Sequence, residues 1–210
     1  IKLWRWPGGA LQRILSGHND SPRSLAVTPD GTLLISGSYD DTIKLWQLPS
    51  GQLLKSLTAE SSVISVAVSP DGKTALVGTN EPFIRIWDLP HERAVRPWQE
   101  TGRLEGHSGP VTGLEFTPDG TRALSVSADG TLILWDVGTR RIIHRFGGHS
   151  KGLWSLAISP DGRTALSDSG DSSMILWDLA RGAEMRSFVR SDAPADSGSS
   201  GMAFLPHGNT

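Results

Sequence analysis

Cysteine is absent from the 210-residue sequence, so neither a disulfide framework nor a thiolate metal site is available to it. Tyrosine occurs once, and the charges nearly cancel, with 20 Lys and Arg against 22 Asp and Glu. Such a chain lacks the clustered cations whose counterion release drives general nucleic-acid binding, so no nucleic-acid partner is expected. No apolar run approaches the ~18 residues of a membrane-spanning helix, and no signal peptide is visible. A membrane is therefore not an expected partner, and a cytoplasmic location is. The chain opens on Ile1-Lys2-Leu3-Trp4, within what reads as a strand, so a targeting signal would lie outside this sequence. The six His show no zinc-ligand spacing. His-Glu-x-x-His, an acidic calcium loop and a phosphate-cradling Gly-rich loop are all missing. Asp40-Asp41 and the Asp168/Asp171 pair fall in turns. No metal or cofactor is expected.

What the chain has in plenty is tryptophan, glycine and proline: 8, 24 and 13 residues. They are periodic. Trp4, Trp46, Trp87, Trp135 and Trp177 each close a short apolar run, at nearly equal intervals of which that from Trp87 to Trp135 is the longest. Pro-Asp-Gly begins at Pro29, Pro70, Pro118 and Pro160, with a degenerate Pro-His-Gly at Pro206. Pro29 to Trp46, Pro70 to Trp87, Pro118 to Trp135 and Pro160 to Trp177 are all the same distance along the chain. All length variation falls between a Trp and the next Pro. A period of roughly 40–45 residues is a sign of stacked repeats. Before each turn, Leu25 and Val27, Val66 and Val68, Leu114 and Phe116, and Leu156 and Ile158 alternate as strands do. In the turn itself Pro presets φ, Asp bonds the local backbone and Gly accepts a positive φ. Strand-like runs follow at 33–36, at 43–46 ending in Trp, and more weakly at positions such as 142–146. Each repeat thus holds four short strands, with no amphipathic segment of helix length, which predicts an all-β fold.

The Gly-His pairs, the Pro-Asp-Gly turns and the endings Trp87-Asp88, Trp135-Asp136 and Trp177-Asp178 resemble the WD40 repeat family over essentially the whole chain. The phrasing Ser-Pro-Asp-Gly-Lys-Thr-Ala-Leu (69–76) and Ser-Pro-Asp-Gly-Arg-Thr-Ala-Leu (159–166) is similar to bacterial members, whose propellers are often joined to a kinase, an NTPase or another effector. The resemblance implies a β-propeller of four-stranded antiparallel blades. About five blades' worth are present: a partial repeat at 1–16, repeats at approximately 17–56, 57–105, 106–147 and 148–189, and a partial repeat at 190–210 with an innermost strand at 201–205. The second strand needed to join the two ends is missing. A partial ring from a seven-bladed propeller is expected, closed by further blades of the same chain or of an oligomer.

Three repeats share a polar set, with a His, a Ser and an Asp each at a fixed offset before the Trp. The sets are His18, Ser36, Asp40 and Trp46; His107, Ser125, Asp129 and Trp135; and His149, Ser167, Asp171 and Trp177. A Ser, a His and an Asp suggest a nucleophile with its base and orienter. Catalysis needs one exposed nucleophile, however, and no Gly-x-Ser-x-Gly elbow occurs. Three copies on one period suit a structural module, and the resemblance implies a hydrogen-bond chain from the indole through Ser and His to Asp. The second full repeat has Ala59, Val77 and Glu81 at these places, so Trp87 is expected to lack its partners. That blade is either held by packing alone or relieved of constraint beside a partner.

Extra length falls at 90–98 and in the Ser-, Gly- and Asp-rich stretch 191–201, both read as loops. Arg or Lys three residues after the Trp, the mark of WD40 members that dock ubiquitin-ligase adaptors, is replaced here by Pro49, Pro90, Gly138 and Ala180. Trp154 occupies a position held elsewhere by Arg23, Ile64 and Thr112. The resemblance places that position, and the residue before the turn Asp (Tyr39, Asn80, Ala128, Gly170), around the mouth used for partner binding. Trp154, Tyr39 and Arg23 are the candidate contacts, being of types enriched at interface hot spots. The alternative for Trp154 is plain packing against a neighbouring blade. The expected function is a scaffold for other proteins or peptides, without catalysis, within a larger signalling or assembly protein. The alternatives are a propeller enzyme with its active site in further blades, and a purely structural or sensory array.

Overall fold

Each Pro-Asp-Gly triplet makes a tight turn whose glycine takes the left-handed conformation, with φ of 69° at Gly31, 72° at Gly72, 70° at Gly120 and 68° at Gly162. The glycine N–H closes the turn onto the carbonyl three residues back, 2.8 Å away at Gly31, and the Asp30 carboxylate accepts the Thr32 N–H. Any side chain at that φ costs energy, which is why glycine recurs there.

These turns organise strands in a computed structural model that describes residues 1–89, 98–189 and 201–204. A two-stranded sheet pairs β1 (Lys2–Trp4) with β2 (Leu11–Ile14). The first complete blade holds β3 (Pro22–Val27), β4 (Leu33–Ser38), β5 (Thr42–Gln47) and β6 (Gln52–Thr58). The second holds β7 (Val63–Val68), β8 (Thr74–Thr79), β9 (Phe83–Asp88) and β10 (Gln99–Glu105). The third comprises β11 (Val111–Phe116), β12 (Arg122–Ser127), β13 (Leu132–Asp136) and β14 (Arg141–Phe146). The fourth comprises β15 (Leu153–Ile158), β16 (Thr164–Ser169), β17 (Ser173–Asp178) and β18 (Ala183–Val189). Every pairing is antiparallel and sequential, as a meander requires. The expected all-β propeller with four-stranded blades is what the chain forms. Residues 201–204, expected in an innermost strand, form none, and Leu205 lies outside the described residues, as do 90–97 and 191–200 of the two expected loops.

The first strands of successive blades, β3, β7, β11 and β15, lie side by side and are joined by side-chain hydrogen bonds. Ser24 Oγ accepts the Val66 N–H at 3.0 Å, and Ser65 Oγ donates to the Val111 carbonyl at 3.1 Å. Thr112 Oγ1 donates to the Leu153 carbonyl at 2.6 Å, and Glu115 accepts the Ile158 N–H at 2.9 Å. Blades approach closely where β4 and β8 carry glycine: a Cβ on Gly37 would collide with Val63, and one on Gly78 would sit 2.8 Å from the Val111 carbonyl oxygen. Between blades lie the cores, each built around a buried tryptophan, among them Trp46, Trp135 and Trp177.

The ring is incomplete. Leu25 and Val27, which alternate on one face of β3, are each 50% exposed, because the two-stranded sheet supplies no inner strand to cover them. Met185, Phe188 and Val189 are exposed on β18 at the other end. At roughly 25 cal/mol per Å² of wet apolar surface, such faces favour continuation of the array. No helix among the described residues is long and apolar enough to cross a membrane.

Candidate functional site

The inner strands share one irregularity. In β3 the register skips Arg23, between the pairs Pro22↔Ser38 and Ser24↔Gly37. The same one-residue skip falls at Ile64 in β7, Thr112 in β11 and Trp154 in β15. A bulge leaves its extra residue out of the ladder and re-aims the side chain. Here the four re-aimed residues all line one cavity of about 280 Å³, contributed by the four complete blades and by Gly201 of the segment that follows them. The sequence columns had grouped these four positions; the bulge is the device that turns them to a common space, and no residue type signals it.

Trp154 is 44% exposed, and its Nε1 lies 3.1 Å from where a Cβ on Gly170 would stand. Gly170 fills the column held elsewhere by Tyr39, Asn80 and Ala128, so a glycine makes the room that the indole uses. Tyr39 is 43% exposed, and the Arg23 guanidinium carbon sits 5.2 Å from its ring centroid, within cation–π range. Arg23 is the single ionisable side chain among the lining residues. The surface thus offers an indole, a cation over a phenol ring, and neutral walls.

The three polar sets form continuous chains. Trp135 Nε1 donates to Ser125 Oγ at 2.7 Å, and His107 Nε2 lies 2.7 Å from the same oxygen. His107 Nδ1 is 3.2 Å from Asp129 Oδ2, which also accepts the Ser108 N–H. Trp46, Ser36, His18 and Asp40 repeat the arrangement, as do Trp177, Ser167, His149 and Asp171. Burial lowers the pKa of His18 and His107, outweighing the pull of the neighbouring carboxylate. A neutral ring protonated on Nδ1 then donates to Asp and accepts from Ser, so each buried group is paired. Burial alone would raise Asp129, but hydrogen bonds from Ser108 and Thr131 and the His107 charge hold its carboxyl at about 2. Each Ser hydroxyl is fully buried and already bonded on both sides, so it is no nucleophile.

Comparison with known protein families matches the one described as WD domain, G-beta repeat at residues 9–47, 51–88, 98–136 and 140–178, together more than half of the chain. The chain belongs to the WD40 repeat family. Each matched WD40 segment begins in the last strand of one sheet and runs through the first three strands of the next, so 98–136 covers β10 with β11, β12 and β13. Among similar proteins, the small ribosomal subunit protein RACK1y of Oryza sativa subsp. japonica is 28% identical over 65% of this chain and 41% of its own length. The SIR4-interacting protein SIF2 of Saccharomyces cerevisiae is 29% identical over 66% of this chain and 27% of its own. WD repeat-containing protein 18 of Homo sapiens is 34% identical over 51% of this chain and 26% of its own. The chain therefore spans less than half the length of these relatives.

The second blade departs from the WD40 pattern by more than loss. Trp87 Nε1 is buried without a partner, as expected, and Trp98 packs edge-on against it at 5.8 Å between centroids. Trp98, read as the end of a loop, is buried at the blade edge. Glu81, read as a substitution that emptied the set, instead holds Arg85 Nη2 at 2.7 Å. Glu60 and Glu100 complete a three-carboxylate grip on that buried guanidinium, at 2.8 and 2.7 Å. Burial opposes the charge, yet the hydrogen bonds Arg85 donates to Glu100, Glu81 and Glu60 hold it firmly protonated. A cluster built around a buried cation replaces the Trp–Ser–His–Asp chain of the other three complete blades.

Asp129→Ala or His107→Ala is expected to cost about 1–3 kcal/mol in a denaturant melt, since each strands a buried partner. A loss below about 0.5 kcal/mol at both positions would mean that the chains do not organise the blades.

Proposed function

We propose that this chain is a protein-interaction scaffold that holds a partner at the mouth of the propeller, with Trp154, Tyr39 and Arg23 as contact residues. One observation carries the reading: bulges in four successive blades aim Arg23, Ile64, Thr112 and Trp154 at one cavity, whose lining Trp154 is exposed and whose lining Arg23 lies over the exposed ring of Tyr39. Exposed Trp, Tyr and Arg are the residue types that dominate interface energetics. An enzyme would need convergent acids, a histidine or a metal there, whereas among the described residues the lining holds one ionisable group, Arg23.

The relatives' names support the same reading, for one is a ribosomal subunit protein, another an interactor of SIR4, and a third similar protein a guanine nucleotide-binding protein subunit beta. Membership of an assembly is what these share. The scaffold belongs to a longer, cytoplasmic signalling or assembly protein whose further blades, or those of a second copy, close a ring of seven. The likeness to bacterial members rests on the phrasing at 69–76 and 159–166, while the relatives above come from rice, yeast and human.

Trp154→Ala is expected to keep the melting temperature and abolish capture of the partner that in-cell cross-linking joins to the unaltered protein. Truncating a central anchor typically costs about 2 kcal/mol or more of binding, roughly a thirtyfold loss of affinity. Unfolding of the variant would assign the indole to packing between blades, and undiminished capture would place the contact elsewhere.

A further inference from the structure

Resting on that reading, we infer that the mouth takes a peptide segment bearing one side-chain carboxylate near an apolar residue, with the carboxylate on Arg23 and the apolar side chain on Trp154. The argument begins with charge. Arg23 lines the cavity with no other ionisable neighbour and forms no ion pair among the described residues. Its guanidinium carbon instead lies over the Tyr39 ring, 5.2 Å from the centroid. Cation–π attraction to a ring face uses none of the N–H donors of the guanidinium in a hydrogen bond, and those donors form the fork that matches a carboxylate. A cation so placed is oriented before any ligand arrives, which reduces the ordering cost of binding.

The rest of the lining is neutral. Ile64, Leu114 and Leu156 give apolar wall, and Ser24, Ser65 and Ser155 give hydroxyls. Among the described residues, no lining carboxylate competes for Arg23 or attracts a basic segment. Cavities that bury whole small ligands span roughly 300–1,000 Å³. At about 280 Å³ this one suits one or two side chains of a polypeptide. A phosphoserine carries a charge of about −1.5 to −2 and is typically met by a cluster of arginines. One guanidinium balances one carboxylate, so the geometry favours Asp or Glu over a phosphorylated residue. Trp154 and Arg23 come from the fourth and first complete blades, so the two recognised side chains sit on different parts of one segment rather than on one residue.

The test is a random peptide display library panned in parallel on the full 210-residue chain and on its Arg23→Gln and Trp154→Ala variants, each first checked for an unchanged melting temperature. The unaltered chain should enrich peptides with Asp or Glu and an apolar residue at a fixed spacing. Arg23→Gln should lose the acidic preference and keep the apolar one, and Trp154→Ala the reverse. An enriched peptide resynthesised with Gln for its acid should bind the unaltered chain at least tenfold more weakly, a comparison that leaves the protein's folding untouched. Enrichment of basic or purely apolar peptides would overturn the proposal. So would equal binding of the Gln peptide, tighter binding when phosphoserine replaces the acid, or a selection that enriches nothing. In each of those cases the scaffold reading still stands or falls by Trp154→Ala and partner capture.

Discussion

Glu81→Ala combined with Glu100→Ala is expected to destabilise the protein by about 3–5 kcal/mol, whereas Arg85→Met should cost only about 1 kcal/mol. The asymmetry follows from burial. The Arg85 side chain is 4% exposed, and its Nε has no hydrogen-bond partner, so charge compensation rests on Nη1 and Nη2. Without Glu81 and Glu100 the guanidinium keeps only Glu60, whose side chain is 71% exposed and well screened by water. An uncompensated cation then sits against Phe83, whose ring centroid is 5.1 Å from it. With Met in place of Arg85, the two partly buried carboxylates can turn outward to solvent, and Glu100 keeps Arg103 at 2.7 Å. Urea melts of the double variant, the methionine variant and a Glu60→Ala control would decide it. Equal losses in all three would mean that the cluster is a surface network with no buried member.

Glu115→Gln is expected to make the protein more stable than the original at pH 8 by about 2–3 kcal/mol, with the difference vanishing near pH 4. Glu115 stands on β11 in a column that holds Ala26, Ala67 and Ala157 in the other blades. Leu124 lies across the pair on β12 and Ile158 in the next blade. Neither carries a charge, and the carboxylate's one hydrogen bond comes from the Ile158 N–H. Burial therefore raises its pKa to about 7, with that hydrogen bond a smaller opposing effect. A carboxyl whose pKa is raised on folding binds its proton more tightly folded than unfolded. Its contribution is undiminished below the unfolded pKa of 4.5 and declines as pH rises toward about 7. His18 and His107 act oppositely, because their folded pKa values are lowered, so they withdraw stability as pH falls below 6.5. Comparing variant with original at each pH cancels the histidines. A difference that stays constant from pH 5 to pH 8 would show that Glu115 titrates as an exposed acid.

The fold was legible because one distance is rigid: the step from Pro to Trp is identical in every complete repeat and encloses two strands and their turns. The polar sets were legible because each member stands at a fixed offset from its Trp, and the offsets survive in three blades. The grip on Arg85 was not. Aligning Glu81 with Asp40 showed a missing chain, but its new partner lies on β9 at a position held by Lys44, Ile133 and Ile175 in the other blades. Only the pairing of β9 with β10 brings Glu100 across to it. Trp98 escaped for a related reason, since it follows the stretch of altered length and has no counterpart in the other repeats. The placing of Arg23 over Tyr39 joins two columns from different strands, the first in β3 and the second just beyond β4. Each column was visible, but their contact depends on a one-residue slip in β3 that leaves no mark in composition.

The WD40 segments straddle the sheets, each lending its first strand to the blade before it, as β6 lies in the segment 51–88 but completes the sheet of β3, β4 and β5. The four strands of each complete sheet are nevertheless consecutive in the chain, so neighbouring blades are joined only by the linkers between sheets and by packing. A pull on one end of the polypeptide would therefore peel the blades away one after another, each leaving the four strands of its neighbour paired. A duplication that copies one such segment in the gene supplies the outer strand of the sheet before it and the first three strands of the next, and so lengthens the arc by one complete blade.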